Sequence, residues 1–228
     1  MKLLALDTAT EACSAALYVD GEVTQRFELA PRRHAALILP MLDSLLNEDG
    51  FSHSQLDAVA FGRGPGAFTG VRIAVGVAQG VAFGAALPVV PISSLAALAH
   101  GGFRTTGQRC VLAAMDARMG QLYWGVYRAE ALGHVIGECD ECVAAPEQVP
   151  LPDKPVWYGA GTGWGTHGAA LRSRLGERLS GSDPAVYPSA EDVAHLAATA
   201  FATGEALPAD HALPVYLRDQ VAKKSAPK

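Results

Sequence analysis

Leu3-Leu4-Ala5-Leu6-Asp7-Thr8-Ala9-Thr10 and Val111-Leu112-Ala113-Ala114-Met115-Asp116-Ala117-Arg118-Met119-Gly120 share one grammar: an apolar strand, an aspartate at its end, a turn. Each is followed by a further strand-like stretch, Cys13–Val19 after the first and Leu122–Tyr127 after the second, and each of these carries a tyrosine, Tyr18 and Tyr127. A strand–Asp–turn–strand unit occurring twice points to two lobes built on one ancestral plan. After the first unit, Asp20-Gly21 is a hairpin turn and Glu22–Leu29 returns as a third strand. A helix is predicted over His34–Asn47, a strand over Asp57–Phe61, and a glycine-rich turn leads to a helix over Thr69–Ala86. Leu87–Ile92 reads as a strand, and Ser93 or Ser94 caps a short helix to His100. This order predicts an α/β fold with a mixed sheet faced by helices. A boundary near Gly101-Gly102 gives an N-terminal lobe of residues 1–101 and a smaller C-terminal lobe of 102–228. The second lobe continues with a strand near Val156–Tyr158, a helix near Ala169–Leu179 and a last helix over Ala190–Ala202; the polar end, Lys223–Lys228, is expected to fray.

Composition narrows the function classes. The 228 residues carry 18 basic and 23 acidic side chains, a net charge of −5, which argues against a free-standing nucleic-acid binder. Half the residues are apolar and 18% are charged, enough apolar mass for a sizeable core. The longest stretch free of charges and amides, Gly80–Leu98, is broken by Pro88 and Pro91, so no membrane span is expected. The early Asp7 argues against a signal peptide, and four cysteines without framework spacing fit a reducing compartment; a cytoplasmic protein is expected.

Asp7 and Asp116 stand where a two-lobed ATPase grips phosphates and magnesium, with Thr8, Thr10 and Arg118 as further nucleotide-binding candidates. The first turn lacks a glycine and the second places Arg118 and Met119 where small residues belong, so both aspartates also read as turn caps. Gly62-Arg63-Gly64-Pro65-Gly66-Ala67-Phe68-Thr69-Gly70 could offer free amides to an anion at a helix capped by Thr69, or simply set that helix's direction. No metal site is expected. Ile38 stands four residues after His34, where a second histidine would be needed, and Cys139-Asp140-Glu141-Cys142 has no second ligand pair at zinc spacing. Gly159-Ala160-Gly161-Thr162-Gly163 mimics a dinucleotide turn, but Trp164-Gly165-Thr166 does not read as a helix start. Arg172, Arg174 and Arg178 read as a solvated basic face.

The helix after the glycine-rich turn is apolar on more than one side. Gly76, Gly80 and Gly84 form one stripe and Ala74, Ala78 and Ala82 another. The preceding helix carries Leu37, Met41 and Leu45 on one stripe and Ile38, Leu42 and Leu46 on a second. The two helices either cover each other or present a protein–protein interface, with His34, Leu37, Ile38, Met41, Leu45, Arg72, Ile73, Gly76 and Gly80 as interface candidates.

Leu4–Thr10, the block Gly62–Ile73, Asp116–Tyr123 and Pro214–Asp219 together resemble the TsaB (YeaZ) family over residues 4 to about 224. Gln121 departs from the acidic residue usual there. The resemblance implies an actin-like ATPase (ribonuclease-H-like) fold of two lobes with a degenerate nucleotide site. It implies a non-catalytic subunit of the bacterial tRNA threonylcarbamoyladenosine machinery, in which a TsaD-like paralogue transfers the threonylcarbamoyl group from threonylcarbamoyl-AMP to the adenosine 3′ of the anticodon. That paralogue would be the partner on the two-helix face, a TsaE-like ATPase would join the pair, and tRNA would be met only within the complex. No cofactor is expected on this chain alone, ATP and a metal being expected on partner subunits; a homodimer is the alternative pairing in isolation. The competing function is an active actin-fold kinase or acyltransferase using Asp7 and Asp116.

Overall fold

The computed structural model describes residues 1–153 and 156–218. Strands β1 (Lys2–Asp7), β2 (Ala12–Val19) and β3 (Glu22–Leu29) precede helix α1 (His34–Glu48), β4 (Ala58–Gly62), α2 (Phe68–Ala85), β5 (Val89–Ile92) and α3 (Ser94–Thr106). The second half runs β6 (Cys110–Asp116), β7 (Leu122–Ala131), β8 (His134–Gly137), β9 (Cys142–Ala144), β10 (Trp157–Ala160), α4 (Gly163–Leu175), β11 (Leu179–Asp183) and α5 (Ala190–Ala202). The first sheet has the order β3-β2-β1-β4-β5 and the second β11-β10-β6-β7-β8, with β9 also on β7. In each, an antiparallel meander is joined by two strands parallel to its first member. The repeated strand–Asp–turn–strand unit is therefore a repeated sheet: β6 takes the place of β1, and β10 that of β4.

Burial of β1 on both faces sets the layering, and it explains why the strand reads as an unbroken apolar run. Leu4 and Leu6 pack with Val59 and Phe61 against Ile38, Leu42 and Leu45 of α1 and Ala74, Ala78 and Ala82 of α2. Leu3 and Ala5 face the other way, with Ala58 and Ala60, onto Ala190, Val193, Ala194 and Ala197 of α5. Alanine on both surfaces lets that helix approach the sheet closely. In the second sheet Leu112 and Ala114 meet Trp164 and Leu171 of α4, while Val111 and Ala113 meet Leu95 and Leu98 of α3.

Several elements depart from the sequence reading. Helix α3 does not stop at His100 but runs to Thr106, so the expected boundary at Gly101-Gly102 falls inside a buried helix. Helix α5, from the second half of the chain, covers the first sheet. Helix α4 starts at Gly163, because Trp164 fills the core and donates from Nε1 to the Leu112 carbonyl at 3.0 Å. Arg174 and Arg178 are not a solvated face: their guanidinium groups donate to the carbonyls of Val149 and Pro152, both at 3.1 Å. Over its 18 residues α2 has a mean hydropathy of 1.3 with Arg72 as its only charge, and it buries Val71, Ala74, Val75, Ala78 and Ala82 in the core beside the first sheet. The polar end at Lys223–Lys228 lies outside the described residues.

A buried polar hub ties the layers together. Asp192 at the start of α5 accepts from His100 Nδ1 at 2.8 Å and from Arg104 Nε at 2.9 Å, both on α3. The Ser189 hydroxyl adds a third bond at 2.6 Å, and His100 Nε2 accepts from the Gly133 amide at 2.9 Å, so Nδ1 carries the ring proton. Burial pushes the Asp192 carboxyl up, but the bonds from His100 and Arg104 outweigh it and hold it below its ordinary value. A depressed carboxyl stabilises the fold above its unfolded pKa and loses that contribution as pH falls through the folded one. Replacing Asp192 by Ala strands the buried His100, while Arg104 keeps Glu191 at 3.2 Å, and urea unfolding at pH 7 should show a loss of about 3 kcal/mol or more. A loss below about 1 kcal/mol, the scale of a surface pair, would remove the hub from the account.

Candidate nucleotide cleft and partner face

The turns that end β1 and β6 flank a cleft of about 820 Å³ between the two sheets, closed on its third side by Val215–Arg218. Its polar wall includes Thr10, Asp116 and Arg118, and His34 and Ile73 stand in it as well.

Asp7 is fully buried and is not among the lining residues. Its Oδ1 accepts from the Ala9 amide at 2.8 Å and its Oδ2 from the Ser94 hydroxyl at 2.9 Å. The glycine-rich block is what seals it. A Cβ on Gly62 would lie 1.8 Å from Asp7 Oδ2, and one on Gly70 would lie 2.0 Å from the Thr8 carbonyl oxygen. These glycines let β4 and the first turn of α2 sit directly on the Asp7–Thr10 turn, so the block is taken up by protein contact rather than held open for an anion. Thr8 is likewise buried, its hydroxyl donating to the Gly70 carbonyl at 2.7 Å. Helix α2 begins one residue before Thr69, with Ala67 in the capping position and no side-chain cap. The Ala67 amide is instead held by the Ala9 carbonyl at 2.7 Å.

The second turn is occupied differently. Asp116 Oδ1 accepts from the Arg118 amide at 2.8 Å. The Arg118 side chain reaches back to Asp116 Oδ2 at 3.5 Å and across to Glu11 Oε1 at 3.1 Å. Arg118 and Met119 both adopt positive φ, 62° and 55°, ahead of Gly120 at 73°. Two bulky side chains in the left-handed region make a turn of fixed shape, not a small-residue phosphate loop. Gln121 Oε1 accepts from Arg218 Nη2 at 2.6 Å, so an amide oxygen holds the C-terminal segment over the cleft. Among the described residues no three His, Cys, Asp or Glu side chains come together to hold a metal.

The nine interface candidates do not share one surface. His34, Ile38 and Leu45 are buried, His34 as part of the cleft wall and the other two in the core, because α1 turns its Ile38–Leu42–Leu45 side to β1 and β2. Leu37, Met41 and Ile73 are half-buried against that core. Arg72, Gly76 and Gly80 are exposed, and a Cβ on Gly76, Gly80 or Gly84 would meet nothing within 4 Å. The alanine stripe of α2 thus serves the core and the glycine stripe faces outward. Sequence reasoning missed Phe83, 81% exposed beside Gly80 and Gly84, and Leu39, 48% exposed on α1. It also missed the Arg72 guanidinium lying 3.7 Å over the Phe68 ring and donating to the Tyr216 hydroxyl at 2.8 Å.

Burial pushes the Asp7 carboxyl up to about 6, partly offset by the Ala9 and Ser94 hydrogen bonds and by the charge of His34. A carboxyl raised from an ordinary 3.8 to about 6 makes the folded state bind more protons between those values, so stability falls as pH rises through that window. Two units correspond to about 3 kcal/mol. Asp7→Asn keeps the shape without the charge, and its urea-unfolding free energy should not show this decline between pH 4 and 7. Equal pH profiles for the two proteins would mean that Asp7 is not a sealed carboxyl.

Comparison with known proteins agrees with this architecture. Residues 26–224 match the family described as TsaD, tRNA N6-adenosine threonylcarbamoyltransferase. The tRNA threonylcarbamoyladenosine biosynthesis protein TsaB of Escherichia coli strain K12 is 45% identical, covering 100% of this chain and 99% of its own. The TsaB protein of Haemophilus influenzae is 43% identical over 100% and 98%. The solved structure of YeaZ from Pseudomonas aeruginosa superposes with a TM-score of 0.89 at 48% identity, covering 95% of this chain and 99% of that one. At 43–48% identity over almost the whole of each chain, the chain belongs to the TsaB (YeaZ) family of tRNA threonylcarbamoyladenosine biosynthesis proteins.

Proposed function

We propose that the chain is the non-catalytic, activating subunit of a tRNA threonylcarbamoyladenosine complex, pairing with a TsaD-like catalytic paralogue in the cytoplasm. One observation carries the reading. The apolar helix α2 turns a bare glycine stripe and Phe83 to solvent, while Asp7, the carboxylate a metal–nucleotide site would need, is sealed in the interior. A helix with glycine at every fourth position lets another helix approach closely, Phe83 supplies an exposed apolar anchor on the same helix, and Leu39 of α1 is a second exposed apolar side chain. The paralogue holds the metal and the nucleotide and transfers the threonylcarbamoyl group. This chain fixes the paralogue's conformation through the α1–α2 face, a TsaE-like ATPase joins the pair, and tRNA is met on the assembly, whose basic surface comes from the other subunits. In isolation the same face would pair two copies of this chain. An active kinase or acyltransferase on Asp7 and Asp116 finds no support in the geometry, because Asp7 faces Ser94 and the Ala9 amide, away from the cleft.

Gly80→Arg separates pairing from folding, since no atom lies within 4 Å of the added Cβ. Light scattering on the wild-type chain mixed with the TsaD-like paralogue of the same genome should show a one-to-one complex. The variant, melting within a few degrees of wild type, should remain separate because the contact desolvates its charge. A variant that pairs with undiminished affinity would contradict the α2 assignment.

A further inference from the structure

Phe68, Arg72, Gly76, Gly80 and Gly84 recur every fourth residue of α2 and are all exposed, so they form one stripe along the helix. The stripe is bare at its glycine end and built up at the other. There the Arg72 guanidinium lies 3.7 Å over the centre of the Phe68 ring, and its Nε donates to the Tyr216 hydroxyl at 2.8 Å. The Tyr216 ring stands 5.6 Å from that of Phe68. Tyr216 is itself placed by the fold. The Val215 amide before it donates to the Arg63 carbonyl at 2.8 Å, and Arg218 after it reaches Gln121 Oε1 at 2.6 Å. Gly64, at φ 93°, admits this segment, since a Cβ there would stand 2.9 Å from the Val215 carbonyl oxygen.

This platform lacks a counter-charge. Arg118 has Glu11 at 3.1 Å and Arg33 has Glu28 at 2.8 Å. Among the described residues Arg72 has no carboxylate beside it, and neither Nη has a hydrogen-bond partner. A guanidinium already held through one face and its Nε loses little further freedom when its Nη edge takes a ligand. The group that matches that edge is a planar anion with two oxygens, a carboxylate. Phe68 and Tyr216 are 46% and 42% exposed, so a partner can cover both rings, and arginine and aromatic side chains are the usual anchors of protein interfaces. Arg72 to Gly84 spans about 18 Å of helix, the length of a three-turn partner helix. Bare glycines admit such a helix and offer a nucleic-acid backbone no charge, which favours a protein partner over a phosphate chain.

We propose that Arg72, seated on Phe68 and Tyr216, receives a carboxylate side chain of the protein that packs along the glycine stripe, so that the segment Val215–Arg218 is part of the pairing surface. This contact rests on the α2 pairing proposed above and adds the sign of the partner's charge. The test is calorimetric titration of the full chain with the TsaD-like paralogue of the same genome. Arg72→Gln keeps a donor for Tyr216 and removes the charge. It should weaken pairing about tenfold, equivalent to about 1.4 kcal/mol, while the free chain melts as wild type does. Arg72→Glu should weaken pairing further, and at least one Asp→Lys or Glu→Lys change on the paralogue should restore it. Pairing of Arg72→Gln at wild-type affinity overturns the proposal, as does failure of every lysine change to rescue Arg72→Glu. Intact pairing with loss of tRNA retention by the assembly would make Arg72 a phosphate contact and overturns it too. Should Arg72→Glu not fold, Arg72→Gln and Tyr216→Phe, which frees Nε and should weaken pairing less, decide by the same criterion. If Gly80→Arg pairs normally, the α2 reading falls and this contact with it. If Gly80→Arg fails to pair while Arg72→Gln pairs normally, only the Arg72 contact falls.

Discussion

The Asp7 carboxyl is the contact on which β1, β4 and the start of α3 close. It sits at the end of β1, takes hydrogen bonds from its own turn and from Ser94 at the start of α3, and lies against Gly62 at the end of β4. Three elements far apart in sequence meet on one side chain. That explains why glycine stands at 62 and 70: any Cβ there would enter the Asp7–Thr10 turn. A carboxylate that holds a metal ion bound to nucleotide phosphates must stay ionised and open to the cleft, whereas this one is shielded and shifted toward its neutral form.

The duplicated sheet shows how unlike two copies of one plan can become. In the first lobe, β4 and β5 are apolar and buried and are covered by helices on both faces. In the second, β11 reads Leu-Ser-Gly-Ser-Asp and lies at the sheet edge, half-exposed. The first lobe presents the long apolar helix α2, and the second contributes the Arg118 turn.

What sequence could reveal depended on how local the cause was. The β1–β2–β3 meander, both central helices, the Ser93 cap and the limits of α5 are set by apolar periodicity and capping residues within each segment, and they were legible. Strands β8, β9 and β11 were not, being three to five residues long and drawn into the sheet by neighbours rather than by propensity. The start of α4 was hidden by glycines at 163, 165 and 168, which tertiary packing of Trp164 overrides. Two apolar stripes on α1 look equivalent in sequence; only the position of the sheet shows that Ile38 and Leu45 face inward. The aspartate motif was visible, but the burial of Asp7 depends on Gly62 and Ser94, and the seating of Arg72 on Tyr216, and no local pattern joins these.

The account rests on α2, and not the interlobe cleft, being the working surface. Hydrogen–deuterium exchange on the chain, alone and in an equimolar mixture with the TsaD-like paralogue, addresses this directly. Slowed exchange along Arg72–Gly84 and around Leu39, with the Thr8–Glu11 and Asp116–Gly120 turns unchanged, is the predicted result. Protection concentrated in those two turns, with α2 exchanging as it does in the free chain, would contradict it.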